Sequence, residues 1–514
     1  MKNRDNMKTL VLTFLFFLCF ASIERLEAEH WNQFRGPNGS GIATKSFKPP
    51  IKINNENIAW KTKIPEGLSS PVIFGKRIFL TGIRQNKLLT LCFDIQSGKI
   101  LWERIAPEAP IEKVHATSSP ATSTPLVDSE QIYVYFGSYG LLCYDHNGTK
   151  KWEIPIPTPK SRYGMSTSPI GYKKTLILVI DNDENLPKSR LSQSKIIAFD
   201  KDNGKQRWEI SRPHHRSGWS TPTIWNNGKN DELIVLGDER VRSYDPATGT
   251  EKWFVGGFSR ETIAVPVIGN GHVYISSAQL GGGADKQIDP APFWKALLKF
   301  DANDDGKVSR TEMIGNFTYP LRPELPLGHP GFGIPLPKEP NRRKERIDGI
   351  LRWVDANRDN SWTRDEFVNH MKFKRGRPLL LAIRSGGTGN VEESHVSWEL
   401  NRSIPEIPSP LFYENKIYLV RNGGIFAAVD AESGKQLYRE RVSGSGQYSA
   451  SPIVADKHLY LVSERGQVSI VKPGETFSQI HEYDIGEPVF VTPAVDKSSI
   501  YFRSDKHLWA FRNQ

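Results

Sequence analysis

A short pattern of apolar and polar positions recurs along this chain. It opens with Ser or Thr, or a near relative, then Pro, then an apolar run. The copies are S-S-P-V-I at Pro71, S-T-P-L-V at Pro125, T-S-P-I at Pro169, S-T-P-T-I at Pro222, A-V-P-V-I at Pro266, P-S-P-L-F at Pro410, A-S-P-I-V at Pro452 and V-T-P-A-V at Pro493. Pro cannot donate to a sheet ladder, so it suits the first residue of a strand. A second apolar run follows, as in R-I-F-L-T, Q-I-Y-V-Y-F and K-I-Y-L-V. Then comes apolar, small, apolar, Asp, a turn with Gly, and Trp. L-C-F-D-I-Q-S-G-K-I-L-W and I-A-F-D-K-D-N-G-K-Q-R-W are two examples, and A-A-V-D-A-E-S-G-K-Q-L-Y carries Tyr438 in the Trp slot.

The Asp slot falls at 94, 145, 200, 245, 384, 430, 471 and 512, with Arg384, Val471 and Arg512 as departures. The small slot holds Cys92, Cys143, Ala198, Ser243, Ala382, Ala428, Ser469 and Ala510. Each unit predicts four strands, A to D, with Pro opening A, the small residue on C and Trp on D. Asp supplies a local side-chain bond in the C–D turn, and Gly its positive φ. Units of this length with four short strands are β-propeller blades. The last copy runs out after strand C. The missing strand D stands at the other end of the chain, in N-I-A-W-K-T-K-I-P around Trp60. Joining both ends in one blade closes the ring and removes its exposed edges. The expected fold is all-β, an eight-bladed propeller with a helical insertion between strands B and C of the fifth blade.

Composition agrees. The 514 residues are 38% hydrophobic, with 13 Trp, 42 Gly and 35 Pro, which excludes a mostly disordered chain and favours many short strands. The net charge of +11 raises nucleic acid or anionic lipid as partners. The basic residues are spread along the chain, denser only at 341–346 and 372–377, and no nucleic-acid motif accompanies them, so no nucleic-acid partner is expected.

Lys2, Arg4 and Lys8 precede an apolar run from Leu10 to Phe20. That run is too short to span a bilayer, which needs about 20 residues, and fits a secretory signal peptide. Cleavage near Ala28 would leave no transmembrane span, and a protein outside the cytoplasm, in the periplasm or cell envelope. Cys92 and Cys143 occupy the same slot in neighbouring units, too far apart for a disulfide, so both are expected as buried free thiols. The expected organisation is 1–28 signal peptide, 29–56 extension, 57–279 and 379–514 propeller, and 280–378 insertion.

The insertion carries two twelve-residue loops of EF-hand type. In the first, Asp301, Asn303 and Asp305 offer side-chain oxygens, Lys307 its carbonyl, Ser309 a site through water, and Glu312 two carboxylate oxygens. Asp355, Asn357, Asp359, Ser361, Thr363 and Glu366 repeat the set. Gly306 permits the tight turn, and Asn360 takes its place in the second loop because Asn tolerates the left-handed region. Apolar faces on the segments before each loop predict helices. The expected ligand is calcium. Seven prolines between Tyr319 and Pro340 predict a stiff spacer and looser pairing of the two loops than in a compact EF domain. Blade topology would make the insertion rise from the face that carries the D–A loops.

The repeat A-x-D-x-x-T-G-x-x-x-W resembles the pyrroloquinoline-quinone (PQQ) type repeats of quinoprotein dehydrogenases and of the BamB-type outer-membrane assembly factor. Further stretches are W-N-Q-F-R-G-P-N-G-S-G-I-A at 31–43, H-A-T-S-S-P-A-T-S-T-P at 115–125, Y-V-Y-F-G-S-Y-G-L-L-C-Y-D at 133–145 and S-G-W-S-T-P at 217–222. With them, nearly everything from Trp31 onward resembles exported planctomycete PQQ-binding-like β-propeller repeat proteins. The resemblance implies the fold strongly and an activity weakly.

The D–A loops carry groups that could line a central funnel for an anionic planar ligand such as PQQ: His115, Arg162, Tyr163, His215, Arg216, Trp219 and Arg260. The alternative is that these groups cap strands and fill the channel. The vicinal cysteine pair of quinoprotein alcohol dehydrogenases is missing, as are C-x-x-C-H, G-x-S-x-G and H-E-x-x-H. No catalytic residue can be assigned. Two readings follow. One is an exported, calcium-binding, non-enzymatic scaffold, monomeric, with a protein or cell-envelope partner. The other is a PQQ-dependent oxidoreductase with a divergent funnel.

Overall fold

The computed structural model describes residues 30–161, 163–182, 194–212, 218–237, 240–259, 262–278, 289–355, 357–372 and 378–513. The expected signal peptide lies outside them. Among the described residues, no helix is long and apolar enough to cross a membrane. The chain forms two compact units. One is Met1–Leu280 with Pro378–Gln514, the other Gly281–Arg377.

The first unit is an eight-bladed β-propeller. Its eight antiparallel sheets each order their strands A-B-C-D, and one adds a fifth, parallel strand. Strand D of the last blade is Ile58–Lys63, which pairs with His507–Arg512 and sets Trp60 opposite Ala510. Both ends of the chain thus build one sheet. Strands B and C are buried along most of their length, as in Gln131–Phe136, buried at every position. A blade interior is covered on both faces by its neighbours, so these strands read as continuous apolar runs. Strand D is the outer edge and alternates, as in Lys150–Pro155.

The Trp and small slots are one device. In seven of the eight sheets the small residue of strand C lies directly opposite an aromatic of strand D, as in Trp60–Ala510 and in Cys92–Trp102, Cys143–Trp152, Ala198–Trp208, Ser243–Trp253, Ala382–Trp398 and Ala428–Tyr438; in blade 7 Ser469 faces Glu482. The indole then reaches the next blade. Its N–H donates to the carbonyl just after that blade's Asp. The pairs are Trp60 to Ile95 (3.1 Å), Trp102 to His146 (3.0 Å), Trp152 to Lys201 (2.9 Å), Trp208 to Pro246 (3.3 Å) and Trp398 to Ala431 (3.1 Å). The turn Gly of that next blade lies under the ring. A Cβ on Gly98 would overlap Trp60, and on Gly148, Gly204, Gly249 or Gly434 it would press on Trp102, Trp152, Trp208 or Trp398. The sequence reading credited these glycines with positive φ alone, whereas they also leave room for the neighbour's indole. Cys92 and Cys143 are buried and free of any disulfide.

The Ser/Thr-Pro motif makes a second, inner stitch. In six of the eight copies the residue before the Pro donates its N–H to the hydroxyl at the same slot of the following blade. The links are Ser70 to Thr124, Thr124 to Ser168, Ser168 to Thr221, Val265 to Ser409, Ser409 to Ser451 and Ser451 to Thr492, at 2.9–3.1 Å. Val265 has no hydroxyl to receive Thr221, so this chain of bonds stops between blades 4 and 5. The outer stitch changes there too. Arg384 replaces Asp, and Trp253 donates to Glu232 of its own blade at 2.7 Å. Gly389–Asn390 seals that seam by pairing in parallel with strand D of blade 4.

The second unit has its own core. Helices α1 (Ala291–Leu297), α2 (Pro340–Val354) and α3 (Arg364–Lys372) surround Trp294, Leu297, Phe300, Val308, Phe317, Leu351, Trp362 and Phe367. Val308–Ser309 of the first acidic loop pairs with Ser361–Trp362 of the second. Looser pairing was expected from the spacer. Instead the spacer folds back, Thr318–Pro320 against Gly333–Pro335, and both loops contribute to one apolar cluster.

Gly98→Ala is expected to cost about 2–5 kcal/mol, from the left-handed backbone plus overpacking against Trp60. Gly75 has φ +59 and open space around it, so Gly75→Ala should cost about 1–2 kcal/mol. Urea midpoints of the two variants measure the difference. Equal losses would show that the indole does not depend on the glycine.

Candidate functional site

Strand A forms the inner edge of each blade, and the segment Trp31–Ala43 binds these edges one after another. Trp31 accepts from Ile73 N–H, and Asn32 exchanges bonds with Val127. Asn38 bonds Ile224, Gly41 and Ala43 bond Val454, and Arg35 reaches Pro410. Ile73, Val127, Ile224 and Val454 all lie two residues after the repeat's Pro. A segment of this length spans at most about 45 Å when extended. The N-terminal segment therefore runs inside the ring, against the inner strands of blades 1, 2, 4, 6 and 7.

The D–A loops of blades 1 to 3 meet on one face. His115 and Tyr163 approach with ring centroids 5.1 Å apart, and Tyr163 meets Trp219 edge-to-face at 5.3 Å. Loop-to-loop bonds fix this row. Ser118 Oγ donates to Tyr163 O at 2.6 Å, and Trp219 Nε1 to Gly164 O at 3.0 Å. Three of the seven residues proposed from sequence therefore come together, and Trp219 is buried. Arg162, His215, Arg216 and Arg260 lie outside the described residues. Tyr448, in the D–A loop between blades 6 and 7, is buried and donates to Gly444 O at 2.6 Å, a packing role.

Two charged groups here were missed from sequence. Glu112 lies in the same loop as His115. Both its carboxyl oxygens are sealed from solvent and, among the described residues, lack a partner at hydrogen-bonding geometry. Burial pushes its pKa up to about 7, against a smaller opposing pull from the Ser138 hydroxyl. Gly137 and Gly164 pack against it, and a Cβ on Gly137 would sit 2.5 Å from Oε1. The second is the ion pair of Asp181, just after strand B of blade 3, with Arg212, just after strand D. Arg212 Nε and Nη2 donate to the two carboxylate oxygens at 2.9 and 3.1 Å, and both residues are buried.

In the second unit the two acidic loops have the same geometry. Asp301 Oδ1 and Oδ2 accept from Asp305 and Gly306 N–H at 3.2 and 2.9 Å. Asp355 does the same for Asp359 and Asn360 at 3.1 and 2.8 Å. Glu312 accepts from Ser309 N–H at 2.7 Å and Ala302 N–H at 2.8 Å, and Glu366 from Thr363 N–H at 3.0 Å and Asn357 N–H at 3.3 Å. Asn360 takes φ +64, matching Gly306 at +74. Among the described residues, no group of three His, Cys, Asp or Glu closes on a common point; these carboxylates accept N–H groups of their own loops. Asn303, Asp305, Asn357 and Asp359 remain largely exposed on the loops, with Lys307 and Ser361 next along the chain. The donor set is all oxygen, which fits a hard cation.

Glu112 gives a pH prediction. Unfolded, its carboxyl ionises near 4.5; folded, it keeps its proton to about 7. Between those values the native state holds the extra proton, so stability falls as pH rises through that window and stays lower above it. Glu112→Gln should remove this slope. Its melting temperature should match wild type near pH 4 and exceed it at pH 8. Parallel pH profiles would mean that Glu112 has an ordinary pKa.

The family model for the outer membrane protein assembly factor BamB matches residues 51–228 and 390–484, just over half of the chain. No curated protein matches it. Among solved structures, a quinohemoprotein alcohol dehydrogenase, ADHIIG from Pseudomonas putida HK5, aligns with a TM-score of 0.52 at 10% identity, over 96% of this chain and 81% of that one. BamB from Moraxella catarrhalis aligns with a TM-score of 0.49 at 9% identity, over 89% and 99%. At such identities the likeness speaks for the fold alone. With the family model, the closed eight-bladed ring and its Asp-Gly-Trp stitch, this chain belongs to the BamB family of PQQ-type β-propellers.

Proposed function

We propose that this protein is an exported, calcium-holding scaffold that docks another protein in the cell envelope, as a single chain and without catalysis of its own. The observation that carries this reading is the N-terminal segment bound along the inner strands of the ring. The propeller's own N-terminal segment takes up inner-strand edges, and His115, Tyr163 and Trp219 of the described D–A loops pack on one another. Such a molecule offers its outer surface. Strand D of blade 1, Ile100–Ile105, is an edge strand that leaves Ile100, Leu101 and Ile105 45%, 49% and 55% exposed. An exposed apolar edge is a place for a partner to bind. The family's assembly-factor description makes outer-membrane assembly proteins the first partners to try.

The two acidic loops are the calcium part of this reading. Asp301, Asn303, Asp305, Lys307 carbonyl and Glu312 would hold one ion, with Ser309 through water. Asp355, Asn357, Asp359, Ser361 carbonyl and Glu366 would hold the other, with Thr363 through water. Bound calcium would rigidify the unit by mass action.

A second reading, a PQQ-dependent oxidoreductase, draws on the His115–Tyr163–Trp219 row, which a planar ligand could join by stacking.

Three measurements separate these. Leu101→Lys with Ile105→Lys should abolish capture of purified outer-membrane assembly proteins and leave the melting temperature unchanged. No capture by wild type would remove the docking reading. Glu312→Gln with Glu366→Gln should lower the melting temperature in Ca²⁺ and leave it unchanged in chelator. A wild type that melts identically with and without chelator would remove calcium. PQQ added with Ca²⁺ should leave the quinone absorbance unchanged, and a saturable shift with dye reduction would install the oxidoreductase in its place.

A further inference from the structure

We infer that the inner side of the propeller ring holds a small anion, of halide size, against the guanidinium of Arg35. Arg35 sits in the segment that runs against the inner strands and is 0% exposed. Its Nη2 donates to Pro410 O at 2.8 Å, while Nε and Nη1 have no partner among the described residues. Among the described residues, no carboxylate pairs with it. Two other buried arginines define the contrast. Arg212 is neutralised by Asp181. Arg503 is wrapped by Ser69 O, Ser69 Oγ, Thr81 O and Pro65 O. Arg35 has neither a counter-charge nor a ring of acceptors.

An unpaired charge in a protein interior is among the costliest arrangements a fold can carry. A carboxylate or lysine escapes it by changing protonation, but a guanidinium does not at neutral pH. Burial lowers the Arg35 pKa only to about 9, so the charge stays. The backbone also commits to this placement. Arg35 itself takes φ +62, and Gly36, Asn38, Gly39 and Gly41 are left-handed as well. Non-glycine residues held there mark a conformation maintained for a reason. Gly41 packs close to the guanidinium: a Cβ there would stand 3.0 Å from Nη2 and 2.8 Å from Leu411. A buried donor without partners calls for an ordered molecule beside it, and a full positive charge selects an anion over water. Complete enclosure selects a small one.

The test is thermal melting of the protein in sodium chloride against sodium gluconate, at equal ionic strength and fixed Ca²⁺. Chloride should raise the melting temperature in a saturable way, by roughly 3 °C at a hundred times its dissociation constant. Bromide should substitute, and Arg35→Met should erase the difference. Identical melting of wild type in both salts would overturn the proposal and leave water as the guanidinium's partner. If Arg35→Met does not fold, crystals grown in bromide decide. Anomalous density within hydrogen-bonding reach of Arg35 Nε or Nη1 supports the site, and density confined to the surface overturns it. Because Ca²⁺ and the outer strands are constant throughout, this outcome is independent of the scaffold reading.

Discussion

The structure rests on the docking of one blade against the next. A four-stranded sheet buried on both faces has no core of its own; its apolar sides exist only as interfaces. At five of the eight interfaces the orienting group is the indole that leaves strand D, lies over the next blade's turn glycine and donates to the carbonyl after that blade's Asp. Each element needs the others. The small residue opposite the Trp lets the ring sit flat on its own sheet, the left-handed glycine leaves a gap for it, and the Asp holds the turn that presents the carbonyl. At the inner strands the Ser/Thr hydroxyls repeat the task at six interfaces, so the four that carry both bonds are pinned at inner and outer radius.

The seam between blades 4 and 5 departs from this rule at both radii. Val265 removes the inner acceptor, Arg384 removes the outer turn, and Trp253 turns back into its own sheet. A strand from the segment after Arg384 compensates by pairing with blade 4's outer edge. The insertion belongs to this same blade 5, between strands B and C. An added unit interrupts a sheet with least damage where the regular stitches are already replaced by another seal.

Much of this was legible in the sequence because a repeat amplifies weak signals. One Ser-Thr-Pro or one Asp-x-x-x-Gly says little, but eight registers of them fixed blade number, strand order, the shared final sheet around Trp60, and the buried free state of Cys92 and Cys143. What repetition does not mark was missed. Trp31–Ala43 has no strand period, and its role depends on residues from Ile73 to Val454 that only the closed ring brings together. Glu112 and the Asp181–Arg212 pair sit in loops where sequence offers no periodicity, and burial decides their chemistry. The hydroxyl ring could have been read: a Ser or Thr before nearly every Pro is more than a strand-opening Pro requires. The tight pairing of the acidic loops hides behind the prolines, which bend the spacer back into a ribbon instead of holding the halves apart.

The shared final sheet has a kinetic side. Residues near the start of the chain find their partners, Val454 and the strand around Ala510, only after almost all of it has been synthesised. Until then the N-terminal segment and strand Ile58–Lys63 remain unsatisfied, and every intermediate is an open arc with two raw edges. Such a fold has its longest-range contacts as its last step, which makes ring closure slow and leaves the unclosed arc open to proteases and to pairing with other chains. Once closed, the same topology works in reverse: no blade can peel away until the two ends of the polypeptide let go of each other.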